Sequence, residues 1–395
     1  MKLLMVCQLY YPENCVIYKF AERLVTLGHE VEVLTGKPNY GFDHLLPEYK
    51  HIKKEVINGV IVHRVNLFAR KKSRLSIILN YLSFWFNSKK WVRHCKKRYD
   101  VVYSLSLSPV TILAAGNLYK KKFHVPHIVH CVDLWPESTL VTHAIKKNSL
   151  AYKILYKWSR ALYSHADHIF IGSSSYKDYF DKVLKLPTDN LSFLPQPSLI
   201  ESSDAEPIKF KEGFHILYCG NLGIIQLIPL IPETMNLIKD KSIFFHIIGM
   251  GPMSEKLVEL IKKYRLEENV IYHGPIPAKK AASYFKSADV LYVSLEGSGT
   301  VGKTIPNKLM MSMVFQKPIL GVLEGDGKDV LEKAKGGVIS KANPDSVKAA
   351  ILYLASLSKE EKEALGLNNV AYYKEHFSTE KIVEELNDYL INKCR

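Results

Sequence analysis

The sequence predicts an α/β protein built of two doubly wound parallel-sheet domains, and three observations carry that expectation. Strand-like apolar runs alternate with helix-period segments along most of the chain, the pattern of βαβ units. The alternation breaks at "LPQPSLIESSDAEPIKFKEG" (194–213), rich in proline, serine and acidic residues, and then restarts. The length, 395 residues, exceeds one ordinary core and suits two domains of roughly 190 residues each.

The elements follow in order. "KLLMVCQL" (2–9) is a buried-strand run. Asn14 is placed to cap a helix whose apolar positions, Val16, Ile17, Phe20, Ala21, Leu24 and Leu27, recur at helical spacing until Gly28 ends it. "EVEVLT" (30–35), "DVVYSL" (100–105), "HIVHCV" (127–132) and "HIFIGS" (168–173) read as further strands, with helices near 110–121 and 149–165. Beyond the break come "FHILYCG" (214–220), "IFFHIIG" (243–249), "NVIYHG" (269–274), "DVLYVSL" (289–295), "PILGVL" (318–323) and "GGVIS" (336–340). Helices are expected between them at 252–264, 278–287 and 306–315, and only helical patterns follow. The expected organisation is a first domain over 1–196, a linker over 197–213, a second domain over 214–377 and a C-terminal helix over 378–395 packing back on the first.

Composition narrows the class. Hydrophobic content of 47% with 24% charged residues is that of a soluble globular protein. "MKLLMVCQLYYPEN" has no small-residue cleavage site and reads as a first strand, and no window approaches the ~20 apolar residues of a membrane span. The six cysteines form no CxxC pair, which points to reduced thiols, a cytoplasmic setting and no structural zinc. The net charge of +15 lies wholly in residues 1–200, with 29 Lys+Arg against 14 Asp+Glu. Residues 70–98 hold ten Lys/Arg and no acid, a field for an anionic membrane surface, a phosphorylated lipid or nucleic acid. No helix-turn-helix, RRM or zinc-finger signature accompanies that segment, so nucleic acid is not expected. Lys71, Lys72, Arg74, Lys89 and Lys90 flank twelve mostly apolar residues, with Trp85 and Trp91 placed for headgroup level: a helix lying in the interface at the inner face of the plasma membrane. The structural alternative is a core-packed helix with solvated ends.

Reactive loops of open α/β sheets lie at strand carboxyl ends. Four stand out: "DLWPES" (133–138), "GNLG" (220–223), "GMGP" (249–252) and "LEGSGTVGKTIPNK" (295–308). A dinucleotide fold needs G-x-G-x-x-G after a strand, yet the first loop contains no glycine and "GMGPMS" lacks the third. "GTVGKT" lacks the Walker spacing. What remains suits a diphosphate held without metal, by amide N–H groups at a helix opened by Pro306 and by Lys303 and Lys308. The alternatives are a solvated role for both lysines, a helix N-cap for Asp133 and a first-turn glutamate for Glu137.

Taken in order, "QLYYPEN…AERLVTLGHEVEVLTGKPNY", "DLWPES", "LPQP", "YCGNLG", "IIGMGP", "SADVLYV" and "TIPNKLMMSMVFQKPIL" resemble landmarks of retaining family-4 glycosyltransferases of GT-B fold. The nearest likeness is to the bacterial subgroup that adds N-acetylated amino sugars, such as N-acetyl-L-fucosamine, to O-antigen or capsule precursors. The resemblance covers residues 2 to 377, roughly. It implies a UDP-sugar donor in the C-terminal domain, a lipid-linked glycan acceptor in the N-terminal domain, and no metal cofactor. It places Gly220, Asn221, Leu222 and Gly223 beside the donor diphosphate, Gly249 and Gly251 against the nucleotide, and Ile276 at the base. Lys303, Thr304, Asn307 and Lys308 would meet the diphosphate and sugar. Asp133 would face the transferred sugar and acceptor hydroxyl, with Glu137 and Trp135 shaping the acceptor entrance. The sequence departs from the family where Lys303 and Met311 stand in place of two glutamates, where Asn14 and Cys15 replace a Gly-Gly pair, and where Val132 replaces a histidine. Those departures keep two alternatives open: an inactive GT-B subunit scaffolding a polysaccharide-assembly complex, and a UDP-sugar epimerase of GT-B fold.

Overall fold

A strand covered on both faces must be apolar at nearly every position, and Leu3, Leu4, Met5 and Val6 of the first run are fully buried. The computed structural model describes every residue except 14, 43, 72, 142, 201–204, 240 and 395, with the side chains of 278 and 279 also left aside. Asn14, the expected cap, Lys72 and part of the expected linker lie outside the described residues.

The chain divides into two compact units: residues 1–196 joined by 379–395, and residues 197–378. The first contains β1 (Lys2–Val6), α1 (Ile17–Thr26), β2 (Glu30–Gly36), β3 (Lys54–Ile57), β4 (Val60–Val65), α2 (Arg74–His94), β5 (Val101–Ser106) and α3 (Leu113–Phe123). It continues with β6 (His127–Cys131), α4 (Glu137–Val141), α5 (Leu150–Tyr163), β7 (His168–Ile171), the short α6 (Tyr176–Asp178) and β8 (Leu191–Phe193). The second has β9 (Phe214–Cys219), α7 (Leu230–Asn236), β10 (Ile243–Ile248), α8 (Ser254–Tyr264), β11 (Val270–Gly274), α9 (Ala278–Ser287) and β12 (Val290–Ser294). It ends in α10 (Asn307–Met313), β13 (Ile319–Val322), α11 (Gly325–Ala334), β14 (Gly337–Ile339), α12 (Pro344–Ser356) and α13 (Lys359–His376); α14 (Thr379–Lys393) returns to the first unit.

The first sheet runs β3-β4-β2-β1-β5-β6-β7-β8, parallel throughout except for β3 against β4. That hairpin turns at Asn58 and Gly59, both at positive φ, the Asn-Gly pair such turns require. Leaving β3 and β8 aside, its order matches that of the second sheet, β11-β10-β9-β12-β13-β14. This is the doubly wound arrangement, with its order reversing between β1 and β5 and between β9 and β12. The α14 helix buries Ile382, Val383, Leu386 and Leu390. Tyr389 stacks on His168 at 4.2 Å, and Asn387 Oδ1 lies 2.6 Å from His29 Nε2.

A row of three imidazoles crosses the second sheet. His215 Nδ1 lies 3.0 Å from His246 Nε2, and His246 Nδ1 lies 3.0 Å from His273 Nε2. The Lys211 carbonyl, 2.8 Å from His215 Nε2, can only accept, so each neutral ring in turn donates through Nε2 and accepts at Nδ1. Burial, with His273, His215 and Lys211 nearby, pushes the His246 pKa down to about 3. The unfolded chain takes protons below about pH 6.5 while the folded ring stays neutral, so this stability is present above pH 6.5 and shrinks on acidification. The slope is on the order of 1 kcal/mol per pH unit for each such histidine. His127, His130 and His168, also depressed by burial, add to it in the first unit. We expect the urea midpoint to fall between pH 6.5 and 5, and His246→Phe to flatten part of that slope; a midpoint constant over this range would contradict the account.

Candidate functional site

Each unit carries a loop cluster where its strand order reverses, the place at which open α/β sheets bind ligands. In the first, β6 ends at Cys131 and the chain turns at Asp133. The Ser108 hydroxyl, from the loop after β5, donates to Asp133 Oδ2 at 2.8 Å, and the Ser108 backbone N–H adds a second bond. Burial outweighs both and raises the Asp133 pKa above the usual carboxylate value. An N-cap role does not apply, since α4 begins four residues later, at Glu137.

Trp135 Nε1–H donates to the same Ser108 Oγ at 2.8 Å, so Ser108 relays one bond from indole to carboxylate. Trp135 is 9% exposed, with its ring edge-on to Tyr81 at 6.3 Å. Its indole is thereby tied into the corner. Tyr176 and Tyr179 tie the corner down by donating to the carbonyls of Val132 and Trp135. Arg70 lies between Tyr40 and Tyr81, 5.0 and 5.4 Å from their ring centroids, and donates to Tyr81 Oη at 3.1 Å. Sequence reading found only a basic run there, because the stacking partners lie 11 and 30 positions away.

Glu137 turns the other way. It accepts from Tyr152 Oη at 3.0 Å and faces a cavity of about 850 Å³ against α5; burial raises its pKa. Asp133 and Trp135 therefore share Ser108, and Glu137 does not join them.

In the second unit the two glycine loops pack backbone against backbone. A Cβ on Gly249 would stand 1.8 Å from the Gly220 carbonyl oxygen, and one on Gly251 2.4 Å from that of Leu222. Both Gly220 and Gly249 sit at positive φ. The amides of Gly220, Leu222, Gly249 and Gly251 are already bonded, to Ile248 O, Met250 O, Gly274 O and Ser254 Oγ respectively. These four amides are thus engaged within the fold. Leu222 is fully buried and supports the loop from the core. Gly223 lies against Gln226, Asn221 is exposed, and Ile276 is half-buried beside the core.

Lys308 is the cation these loops leave in place. Its stem crosses Gly220, where a Cβ would come 2.7 Å from Lys308 Cδ. Its Nζ lies 5.3 Å from the Tyr218 ring centroid, and burial pushes its pKa down to about 8 against a small opposing effect of Cys219. No carboxylate pairs with it among the described residues. Pro306 is the N-cap of α10 and not its first-turn residue, and α10 spans only seven residues. The Thr304 hydroxyl donates to Val301 O at 2.9 Å, while Lys303 and Asn307 are exposed. Met311 packs on the core. Two carboxylates that the sequence did not single out stand in adjoining loops. Glu324 lies against Gly297, where a Cβ would approach its Oε2 to 2.2 Å, and Glu296 accepts from Ser298 Oγ at 2.9 Å.

Residues 14–197 match the model of a glycosyl transferase 4-like domain and residues 213–356 that of glycosyl transferases group 1. The chain belongs to the glycosyltransferases of GT-B fold. The glycosyltransferase is 28% identical over 255 residues to the probable glycosyltransferase WbjE of Pseudomonas aeruginosa, a match covering 62% of each chain. To the putative colanic acid biosynthesis glycosyltransferase WcaL of Escherichia coli K12 it is 25% identical over 219 residues, 53% of this chain and 48% of that one. It thus spans about three-fifths and half the length of these relatives. Anabaena Alr3699/HepE, solved in complex with UDP, shares the fold with a TM-score of 0.68 at 12% identity, over 99% of this chain and 100% of that one.

The basic segment of this glycosyltransferase forms α2, and its faces are inverted relative to a core helix. Asn80, Phe84, Ser88 and Val92 point inward. Leu75, Ile78, Leu79, Leu82 and Phe86, at helical spacing, are 37–66% exposed. Lys89 Nζ lies 4.5 Å over the Trp85 ring, which stacks on Trp158 at 6.3 Å, while Lys71, Arg74 and Lys90 are exposed. Trp91 packs inward near His63 at 4.8 Å, so the headgroup position expected for it is corrected. No helix among the described residues is long and apolar enough to cross a membrane.

Proposed function

We propose that the protein is a retaining, metal-independent transferase that moves a sugar, an N-acetylated amino sugar by its sequence likeness, from a UDP-sugar to a polyprenyl-diphosphate-linked glycan in O-antigen or capsule assembly. The observation that carries the reading is Lys308: a half-buried, unpaired ammonium laid over Gly220 at the switch point of the second sheet. Burying a cation without a counter-charge is costly, so such a group persists where an anion completes it. The UDP bound to HepE and the colanic acid role in the name of WcaL favour a nucleotide donor and a polysaccharide product.

In this reaction the bond from the sugar's anomeric carbon to the UDP oxygen breaks, and the acceptor hydroxyl attacks from the same face. A phosphate oxygen of the leaving UDP takes the acceptor proton, so no protein nucleophile is needed. Lys308 stabilises the departing charge; Asp133, oriented by Ser108, aligns the hydroxyl and offsets positive charge on the ring. The outward stripe of α2, with cations at its ends, suits an anionic membrane surface at the inner leaflet.

The test is UDP release from a panel of UDP-sugars, with and without a polyprenyl-diphosphate-linked sugar on anionic liposomes. Acceptor-dependent release with one donor is expected. UDP binding without turnover on any donor would favour the scaffold, and conversion without acceptor the epimerase. Competing DNA should fail to displace the protein from the liposomes; displacement would overturn the membrane reading.

A further inference from the structure

The cavity that Glu137 faces has a composition of its own. It lies between α5 and the turn that follows α6, and Lys147, Lys153, Lys157, Arg160 and Lys182 line it against one carboxylate, Glu137. Lys182 pairs with Asp178 at 2.9 Å. Lys147 acts on Glu137, whose pKa its charge lowers against burial. No ion pair joins Lys153, Lys157 or Arg160 to an acid among the described residues, so three cations face the groove with their charge uncancelled. Between them stand Leu150, Ile154 and Leu186. On α5 the two kinds alternate along one face, Leu150, Lys153, Ile154 and Lys157 at helical spacing, and Leu150 is 75% exposed. A ligand lying here meets ammonium groups and alkyl surface side by side.

We propose that this groove seats the diphosphate and first isoprene units of a prenyl-diphosphate carrier. The inference rests on the transferase reading and adds where the carrier, as distinct from its sugar, is held. Four reasons select this occupant. The uncompensated cations call for a multiply charged anion, and a diphosphate concentrates its charge within the span of neighbouring lysines. The apolar wall calls for a chain attached to that anion, which a nucleic acid or free phosphate lacks. The volume, about 850 Å³, accommodates a head and a short run of chain, not a bilayer face. Finally, Glu137 opens α4 four residues after Asp133, so the groove begins beside the corner proposed for the acceptor sugar. On the far side, Trp158 of α5 stacks on Trp85 of α2, which carries the groove's apolar face on to the exposed stripe where the rest of the chain would enter lipid.

The experiment uses farnesyl diphosphate, a soluble probe of the same chemistry, titrated into the full-length protein by calorimetry, with UDP titrated in parallel. Farnesyl diphosphate should bind at least about tenfold more tightly than inorganic diphosphate or farnesol, since only it engages both cations and wall. Lys153→Gln with Lys157→Gln, both exposed positions, should weaken it roughly tenfold, Lys→Arg at both should restore it, and UDP binding should stay unchanged. UDP binding without farnesyl diphosphate binding, or equal binding in the Gln variant, overturns the groove proposal and leaves the transferase reading standing. A Gln variant that loses liposome binding but keeps farnesyl diphosphate also overturns it, in favour of a bulk-lipid contact. Farnesyl diphosphate binding without UDP binding would support the groove and remove the transferase reading.

Discussion

Lys308→Ala is expected to lower turnover by roughly 10²–10³-fold, the effect of deleting one preorganised donor to a developing negative charge and equal to about 3–4 kcal/mol. The reason is positional. The ammonium is fixed by its stem over Gly220 and by the Tyr218 ring, so in the proposed transfer it would need no reorganisation as UDP departs. The pH profile gives an independent check. With its pKa pushed down to about 8, Lys308 is charged below that value and neutral above it. Turnover of free enzyme and donor should therefore decline as pH rises through about 8, with bound diphosphate moving the decline to higher pH. Lys308→Arg, charged throughout, should retain partial turnover and lose this basic limb. Wild-type turnover in Lys308→Ala, with the fold intact by circular dichroism, would refute the role.

Asp133→Asn is the second large effect, a loss of about a hundredfold or more in kcat with donor binding retained, as for removal of one electrostatic contact made in the transition state. Ser108→Ala sharpens the test. The Ser108 hydroxyl opposes the effect of burial on Asp133, so losing it raises the Asp133 pKa further. The acid limb of the pH profile should then move to higher pH, because the proposed role requires Asp133 as the anion. A Ser108→Ala profile that overlays the wild type would show that the carboxylate takes no part in the pH-dependent step.

Much of this was legible in the chain. Both sheets, the switch-point loops and the membership of "DLWPES" and "TIPNK" in those loops follow from apolar periodicity and turn residues, which are local properties. The β3–β4 hairpin was also written locally, in Asn58–Gly59, although it did not stand out as a strand pair. The roles of individual glycines were not legible. Gly249 and Gly251 look alike as ligand-facing turns, yet their missing Cβ atoms make room for another loop's carbonyls. Trp135 and Leu222 read as site residues without any sign of how deeply they are buried, while Ser108, Arg70 and Glu324 carried no motif that would mark them.

The sequence alone determined the α/β class, the two-part alternation and the segregation of positive charge into the first half, because each depends on residue type at short spacing. Tertiary structure decided which carboxylate Ser108 holds and that α2 turns its leucines outward. Those outcomes depend on partners tens of residues apart, whose meeting is set by strand order and by which faces remain to be covered once the sheets have formed.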